Sequence, residues 1–151
     1  MARSVHLKAE SECYFFTMNT RGRERVFLCP DLAQILVDAL YDLRARVRMR
    51  LHAFVVMPDH VHFVASLGEG ETPSRLMHSL KSYAAKQINS RRGMSGNVWQ
   101  RGFYSHGIRD ERDAATKVRY VLENPVRAHL VDSPDAYEFS SACGTFEVDP
   151  C

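Results

Sequence analysis

Val55-Val56-Met57-Pro58-Asp59-His60-Val61-His62-Phe63 reads as one β-strand ending, a tight turn, and another strand beginning. Pro58-Asp59 has turn chemistry: proline presets its own φ, and aspartate bonds nearby backbone. Residues 48–57 alternate as a strand, with Met49, Leu51, Ala53, Val55 and Met57 expected on one face. Arg48, Arg50, His52, Phe54 and Val56 take the other. In residues 60–67, Val61, Phe63, Ala65 and Leu67 form an apolar face, and His60, His62, Val64 and Ser66 the opposite one. Side chains in a strand repeat every two residues, so both imidazoles leave the same side. That is a two-point grip on one metal ion.

Outward from this hairpin, each flank supplies a helix and then a strand. Residues 14–20 are rich in aromatic and β-favouring side chains and read as the first strand. A basic loop follows at 21–25, and Pro30-Asp31 opens a helix. Leu32, Ile35, Leu36, Ala39, Leu40 and Leu43 recur along it at helical spacing. On the other flank, Thr72-Pro73 offers a capping hydroxyl and a proline at the first helical position. Leu76, Met77, Leu80, Tyr83, Ala84 and Ile88 give that helix its stripe. Residues 97–109 read as a fourth extended segment. The order β-α-β-β-α-β predicts a ferredoxin-like α+β fold with an antiparallel sheet. Its two helices cover one face, leaving the histidine face free for a site.

At 151 residues the chain suits one domain, expected to span 1–151. Hydrophobic content of 45% and charged content of 25% are ordinary globular values. A net charge of +2 does not by itself announce a nucleic-acid binder, although clustered arginines allow phosphate contacts. The four cysteines show no paired ligand spacing, which predicts a reducing cytoplasm rather than a disulfide scaffold. No apolar run is long enough to cross a bilayer, so no membrane association is expected.

An additional helix is expected over residues 110–124, limited by Pro125. Ala114, Ala115, Val118, Val121 and Leu122 make its apolar stripe. Tyr120 falls off that stripe, on a polar side with Lys117 one turn before and Asn124 one turn after.

These blocks resemble a known family. His60-Val61-His62 followed by Tyr120-Val121-Leu122-Glu123-Asn124-Pro125 is similar to the single-tyrosine HUH transposases, and within them to the REP-associated tyrosine transposases of bacteria. Phe15-Phe16-Thr17, Trp99-Gln100-Arg101-Gly102-Phe103-Tyr104, Ile108-Arg109-Asp110-Glu111, Asn124-Pro125-Val126-Arg127 and Phe139-Ser140-Ser141 extend the likeness over nearly the whole chain. His129 departs from it, where the family commonly has glycine or alanine. The resemblance implies that His60, His62 and Asn124 hold a divalent metal and that Tyr120 is the nucleophile; Lys117, on the same side of the helix one turn before Tyr120, is the candidate to stabilise the phenolate or the phosphate. Two imidazoles and an amide oxygen suit Mn²⁺ or Mg²⁺.

The implied reaction is cleavage and rejoining of single-stranded, hairpin-forming DNA, with palindromic repeats as targets and a 5′-phosphotyrosine intermediate. Arg21, Arg23, Lys81, Trp99, Arg101 and Arg109 are the candidate DNA contacts. The family includes both monomers and homodimers that exchange the tyrosine helix. Two other readings stay open: a binding module that holds structured nucleic acid without cutting it, and a hydrolase using metal-bound water. Tyr83 and Tyr104 are rival nucleophiles, with core packing expected for Tyr83 and packing or base stacking for Tyr104. Asp59 reads as a turn residue, with a bond to a ligand histidine as the alternative.

Overall fold

The computed structural model describes residues 12–151. Its sheet has four strands: β1 (Cys13–Asn19), β2 (Met49–Met57), β3 (His60–Leu67) and β4 (Tyr104–Gly107). They lie in the order β2-β3-β1-β4, and every neighbouring pair is antiparallel. Helices α1 (Pro30–Ala45) and α2 (Pro73–Arg92) follow β1 and β3, and α3 (Glu111–Arg127) follows β4. This is the expected α+β arrangement.

The main core lies between the sheet and the first two helices. Leu36, Leu40, Leu76, Leu80 and Ile88 from the helices meet Phe16, Phe54 and Phe63 from the strands, all buried. Thr72 caps α2 as its sequence suggested, its hydroxyl accepting from the Arg75 N–H at 3.1 Å. Tyr83 departs from expectation. It stands at the shoulder of the α2 stripe and is 46% exposed.

The opposite sheet face is not left bare. α3 lies across it, and Val121 joins Phe15, Ala53, Val55, Met57 and Val64 in a second, smaller core. Pro125 does not end this helix but sits inside its last turn. A proline there lacks the N–H that would bond one turn back, yet the helix closes beyond it through Ala128 N–H to Asn124 C=O and Leu130 N–H to Pro125 C=O.

The simple alternation expected for β2 also fails. A β-bulge between Leu51 and Ala53 leaves His52 without a partner in the β3 register. An extra residue shifts the pleat by one. Met49 and Leu51 therefore join the main core with Phe54 and Val56, while Ala53, Val55 and Met57 face α3.

The segment after α3 closes the outer edge of β2. Val55 bridges to Ser140, the Val56 N–H donates to the Phe139 carbonyl at 2.9 Å, and the Tyr137 hydroxyl donates to the Val56 carbonyl at 2.8 Å. Further along, Asp149 straddles the bulge. Its N–H donates to Leu51 C=O, its carboxylate accepts from Leu51 N–H, and its carbonyl meets His52 Nδ1. Arg44 of α1 clamps the same carboxylate through two 2.9 Å bonds. No helix among the described residues is long and apolar enough to cross a membrane.

Candidate active site

β3 presents His60 and His62 to the face that α3 covers, their ring centroids 4.7 Å apart. His62 is buried and His60 partly so. In each ring Nδ1 already has a partner. His62 Nδ1 lies 2.8 Å from the Thr17 hydroxyl, which the β1–β3 register sets directly opposite. His60 Nδ1 donates to Asp59 Oδ1 at 2.7 Å. Asp59 is thus more than a turn residue. Burial disfavours its charge, but the bonds from His60 and Arg23 outweigh that and hold the carboxyl below its usual range. Both Nε2 atoms are free of hydrogen-bond partners among the described residues.

His62 is held neutral. Burial pushes its imidazole down to about 3, reinforced by the neighbouring charges of His60 and Arg23. A neutral ring with Nδ1 occupied offers its Nε2 lone pair to a metal or a proton.

Over this pair stands Tyr120. Its ring centroid is 5.3 Å from that of His62 and 5.8 Å from that of Phe15. Its hydroxyl has no hydrogen-bond partner among the described residues, and the Arg127 guanidinium lies 5.6 Å from the ring centre. One helical turn later comes Asn124, only 9% exposed. The sequence had placed Tyr120 and Asn124 opposite the apolar stripe. Asn124 instead lies on the side of the packed residue Val121, because positions three apart are neighbours, and Tyr120 reaches the sheet through Phe15 and His62. Asn124's buried side-chain amide has no hydrogen-bond partner among the described residues. An unsatisfied buried amide costs about 1–3 kcal/mol, which marks the position as one kept for something other than stability.

Lys117, one turn before Tyr120, sets its ammonium 5.9 Å from the centre of the Phe15 ring and pairs with no carboxylate among the described residues. Arg23 also reaches the site. Its Nε donates to Asp59 Oδ2 at 3.2 Å, and it holds a left-handed φ of +56° beside Gly22 at +62°. A side chain kept in that region is strained and needs its surroundings to hold it.

The other expected DNA contacts divide. Arg21, Arg101 and Arg109 are exposed. Trp99 is not a surface platform: it is 8% exposed, packs 5.8 Å from Phe27, and donates its indole N–H to the Lys81 carbonyl. Lys81 in turn gives its ammonium to the Gln100 and Gly102 carbonyls, so that charge serves a loop. Of the rival nucleophiles, Tyr83 lies on α2 on the far side of the sheet, whereas Tyr104 is 57% exposed on the site's own face. His52 and His106 are committed elsewhere, the first to Ser66 and Asp149, the second to Asp113 at 2.9 Å.

A strand-borne histidine pair, a phenol set edge-on against it and an orphaned amide one turn away define a compact polar centre inside one chain. Over residues 10–124 the chain matches the family of IS200-like transposases, and it belongs to that family. It is 30% identical over 142 residues to the REP-associated tyrosine transposase of Escherichia coli (strain K12), covering 90% of this chain and 82% of that one. A solved structure of a REP-associated tyrosine transposase bound to a REP hairpin matches with a TM-score of 0.72 at 29% identity, covering 94% of this chain and 86% of that one.

Proposed function

We propose that this transposase cleaves and rejoins single-stranded DNA beside a hairpin, with Tyr120 as nucleophile and a divalent metal, Mg²⁺ or Mn²⁺, held by His60, His62 and Asn124. The observation that carries the reading is the Tyr120 phenol set against His62, with two imidazole Nε2 atoms and the Asn124 amide left without partners among the described residues. No three His, Cys, Asp or Glu side chains gather there among the described residues. The buried Asn124 amide, one turn after Tyr120, would serve as the third protein ligand. The metal, when bound, supplies Lewis acidity to the scissile phosphate.

The chain's own residues do the rest. Tyr120 Oη attacks the backbone phosphorus, forming the Oη–P bond as the P–O3′ bond breaks. The phenol gives up its proton, and the departing 3′-oxygen ends as a hydroxyl. The strand's 5′ phosphate stays on Tyr120, so the bond energy is kept for rejoining by another 3′-hydroxyl. A phenol's ordinary pKa is about 10, so it needs help. The unpaired Lys117 ammonium, one turn away, stabilises the developing negative charge. Asp59 and Thr17 hold the two imidazoles in the tautomer and orientation a metal requires.

The hairpin partner is proposed from the likeness to a transposase solved with a REP hairpin. Arg21, Arg23, Arg101 and Arg109 supply phosphate contacts around the site. Because Tyr120 meets His62 of its own chain, one protomer carries the complete set. The chain is proposed to work as one domain in the cytoplasm, where its DNA lies.

The test is incubation with hairpin-forming single-stranded DNA from the source genome and Mn²⁺ or Mg²⁺, read by denaturing electrophoresis. A covalent protein–DNA band is expected, absent with chelator and absent in Tyr120→Phe. Cutting that survives in the variant would move the nucleophile to water or to Tyr104. Tight hairpin binding without any cut would instead support a non-cleaving module.

A further inference from the structure

α3 is fastened to the sheet in two different ways. Toward its C-terminal end Val121 packs in the smaller core, and Asn124 and Pro125 are buried as well. From Glu111 to Tyr120 only Ala114 is buried. Beneath that half lies a cavity of about 590 Å³, with Ala114, Ala115 and Val118 of α3 on one side and Cys13, His52 and Ser66 of the sheet on the other. Apolar packing therefore does not hold the N-terminal half down, and a polar contact takes its place. His106 of β4 donates from Nε2 to Asp113 Oδ2 at 2.9 Å. The register sets His106 opposite Phe15, on the sheet face that α3 crosses.

The helix side of this contact is rigid. Asp113 Oδ2 also accepts from the Arg109 N–H at 3.0 Å, and the Asp113 N–H donates to the capping Asp110 carboxylate at 2.8 Å. The Asp113 side chain is only 11% exposed. The Arg109 N–H, and then the His106 ring, keep its carboxyl below the usual carboxylate range. Tyr120 is held less firmly. Its ring meets Phe15 and His62 edge-on, at 79° and 67°, and its hydroxyl has no hydrogen-bond partner among the described residues. Tyr120 follows Asp113 by seven residues, about 20° short of two full turns. The two side chains therefore leave the same side of the helix. A roll of α3 by about 10° around its axis would carry the phenol oxygen sideways by about 1–1.5 Å. Packing at Val121 is non-directional and resists such a roll weakly, whereas a hydrogen bond at Asp113 resists it directly.

We propose that His106 and Asp113 are the positioning pair that sets the roll of α3 and so aims the Tyr120 hydroxyl at the phosphorus, in line with the departing 3′-oxygen; this rests on the DNA-cleaving function proposed above. Neither side chain makes or breaks a bond in this role. Both act through the helix. In-line attack tolerates little error, since a misplacement of about 1 Å costs about 10²-fold in rate. Metal affinity and hairpin affinity are left to other residues. The signature of the pair is therefore a slower chemical step with binding unchanged.

The donor is removed in His106→Phe, which keeps a ring, and in His106→Ala. It is restored in His106→Gln, whose side-chain N–H can donate to Asp113. Adduct formation on hairpin DNA at saturating Mn²⁺ is expected to slow by about 10–100-fold in the first two and to return to within about threefold of wild type in the third. The Mn²⁺ concentration for half-maximal rate, and hairpin binding in chelator, are expected to stay as in wild type. Nuclear Overhauser contacts report the geometry without any chemistry. Those from the Tyr120 ring to Phe15 and His62 are expected to vanish in His106→Phe and His106→Ala and to persist in His106→Gln. The Phe16–Phe63 contact of the main core, 4.9 Å between centroids, is expected to persist in all three. An adduct rate indifferent to His106, one that His106→Gln does not restore, or one that falls with the Tyr120 contacts intact overturns the pair. Loss of the Phe16–Phe63 contact in both His106→Phe and His106→Ala overturns it too, since His106 would then serve folding alone. Tyr120 contacts that depend on His106 in a protein that forms no adduct leave the pair standing and sink the chemistry.

Discussion

Thr17 and Asp59 decide which nitrogen each histidine can offer. Hydrogen bonds of 2.8 and 2.7 Å occupy both Nδ1 atoms and turn both Nε2 atoms outward. Partners of this kind are worth about 10–100-fold in metal affinity. Thr17→Val keeps the side chain's shape and removes its hydroxyl. It is expected to raise the Mn²⁺ concentration for half-maximal adduct formation by about 10–100-fold, while hairpin binding in chelator stays as in wild type. An unchanged Mn²⁺ requirement would show the Thr17 bond to be idle. Neither partner was plain in the sequence for the same reason. The His-x-His spacing is local and legible, but Thr17 lies 45 residues away and meets His62 only through the β1–β3 register. Asp59 was visible and ambiguous, since Pro-Asp is ordinary turn chemistry with or without a histidine beside it.

At the scale of elements, the three helices end alike. Each closes on a left-handed residue: Val47 after α1, Gly93 after α2 and His129 after α3. In each case the next N–H reaches back five residues, as in Arg48 to Leu43, Met94 to Asn89 and Leu130 to Pro125. Only α2 uses glycine. A side chain in this conformation costs about 1–2 kcal/mol, and branching at Cβ makes Val47 the worst placed of the three. Glycine's extra freedom in the unfolded chain returns about 0.4–1 kcal/mol. Val47→Gly, at a site 74% exposed, is therefore expected to stabilise the protein by about 1 kcal/mol. A urea midpoint shifted upward checks it, and a midpoint shifted downward would mean that the Val47 side chain contributes contacts of its own.

Helix stripes and strand alternation made most elements readable because their signals repeat within a few residues. The β2 bulge did not repeat. Met49, Leu51, Ala53, Val55 and Met57 look like one unbroken face, and nothing nearby marks His52 as the extra residue. Its register is held from far along the chain, where Asp149 bonds Leu51 and His52. The placement of α3 was hidden in a similar way. Periodicity gave its stripe, but only packing on Phe15 and Val64 shows that Asn124 lies under the helix rather than outside it.

Over the whole molecule, Asp149 ties the outer edge of β2 to α1. Arg44, through its bonds to the Asp149 carboxylate, holds that group below the usual carboxylate range, against the effect of burial. A depressed folded value means that the unfolded chain takes up the proton first. The stabilisation is therefore complete above the ordinary carboxylate value of about 3.9 and is lost as pH falls through the lower folded value. Asp149→Ala is expected to cost about 1.5–3 kcal/mol at neutral pH, and to cost progressively less in urea melts repeated at falling pH. A deficit that stays constant down to the most acid melt would mean that the carboxylate's charge is not what stabilises the strap.

The same strap sets an order of events. Residues 137–149 are synthesised long after the β2 backbone they cover at 51–56. A nascent chain leaves the ribosome with its N-terminal part free to fold first. Both histidines and Tyr120 emerge before that strap, while one edge of the sheet still shows unpaired N–H and C=O groups. Such an edge invites pairing with another chain. A ribosome that stalls between residues 124 and 137 would release a chain with all its chemical groups and an open flank, a natural substrate for chaperones and proteases.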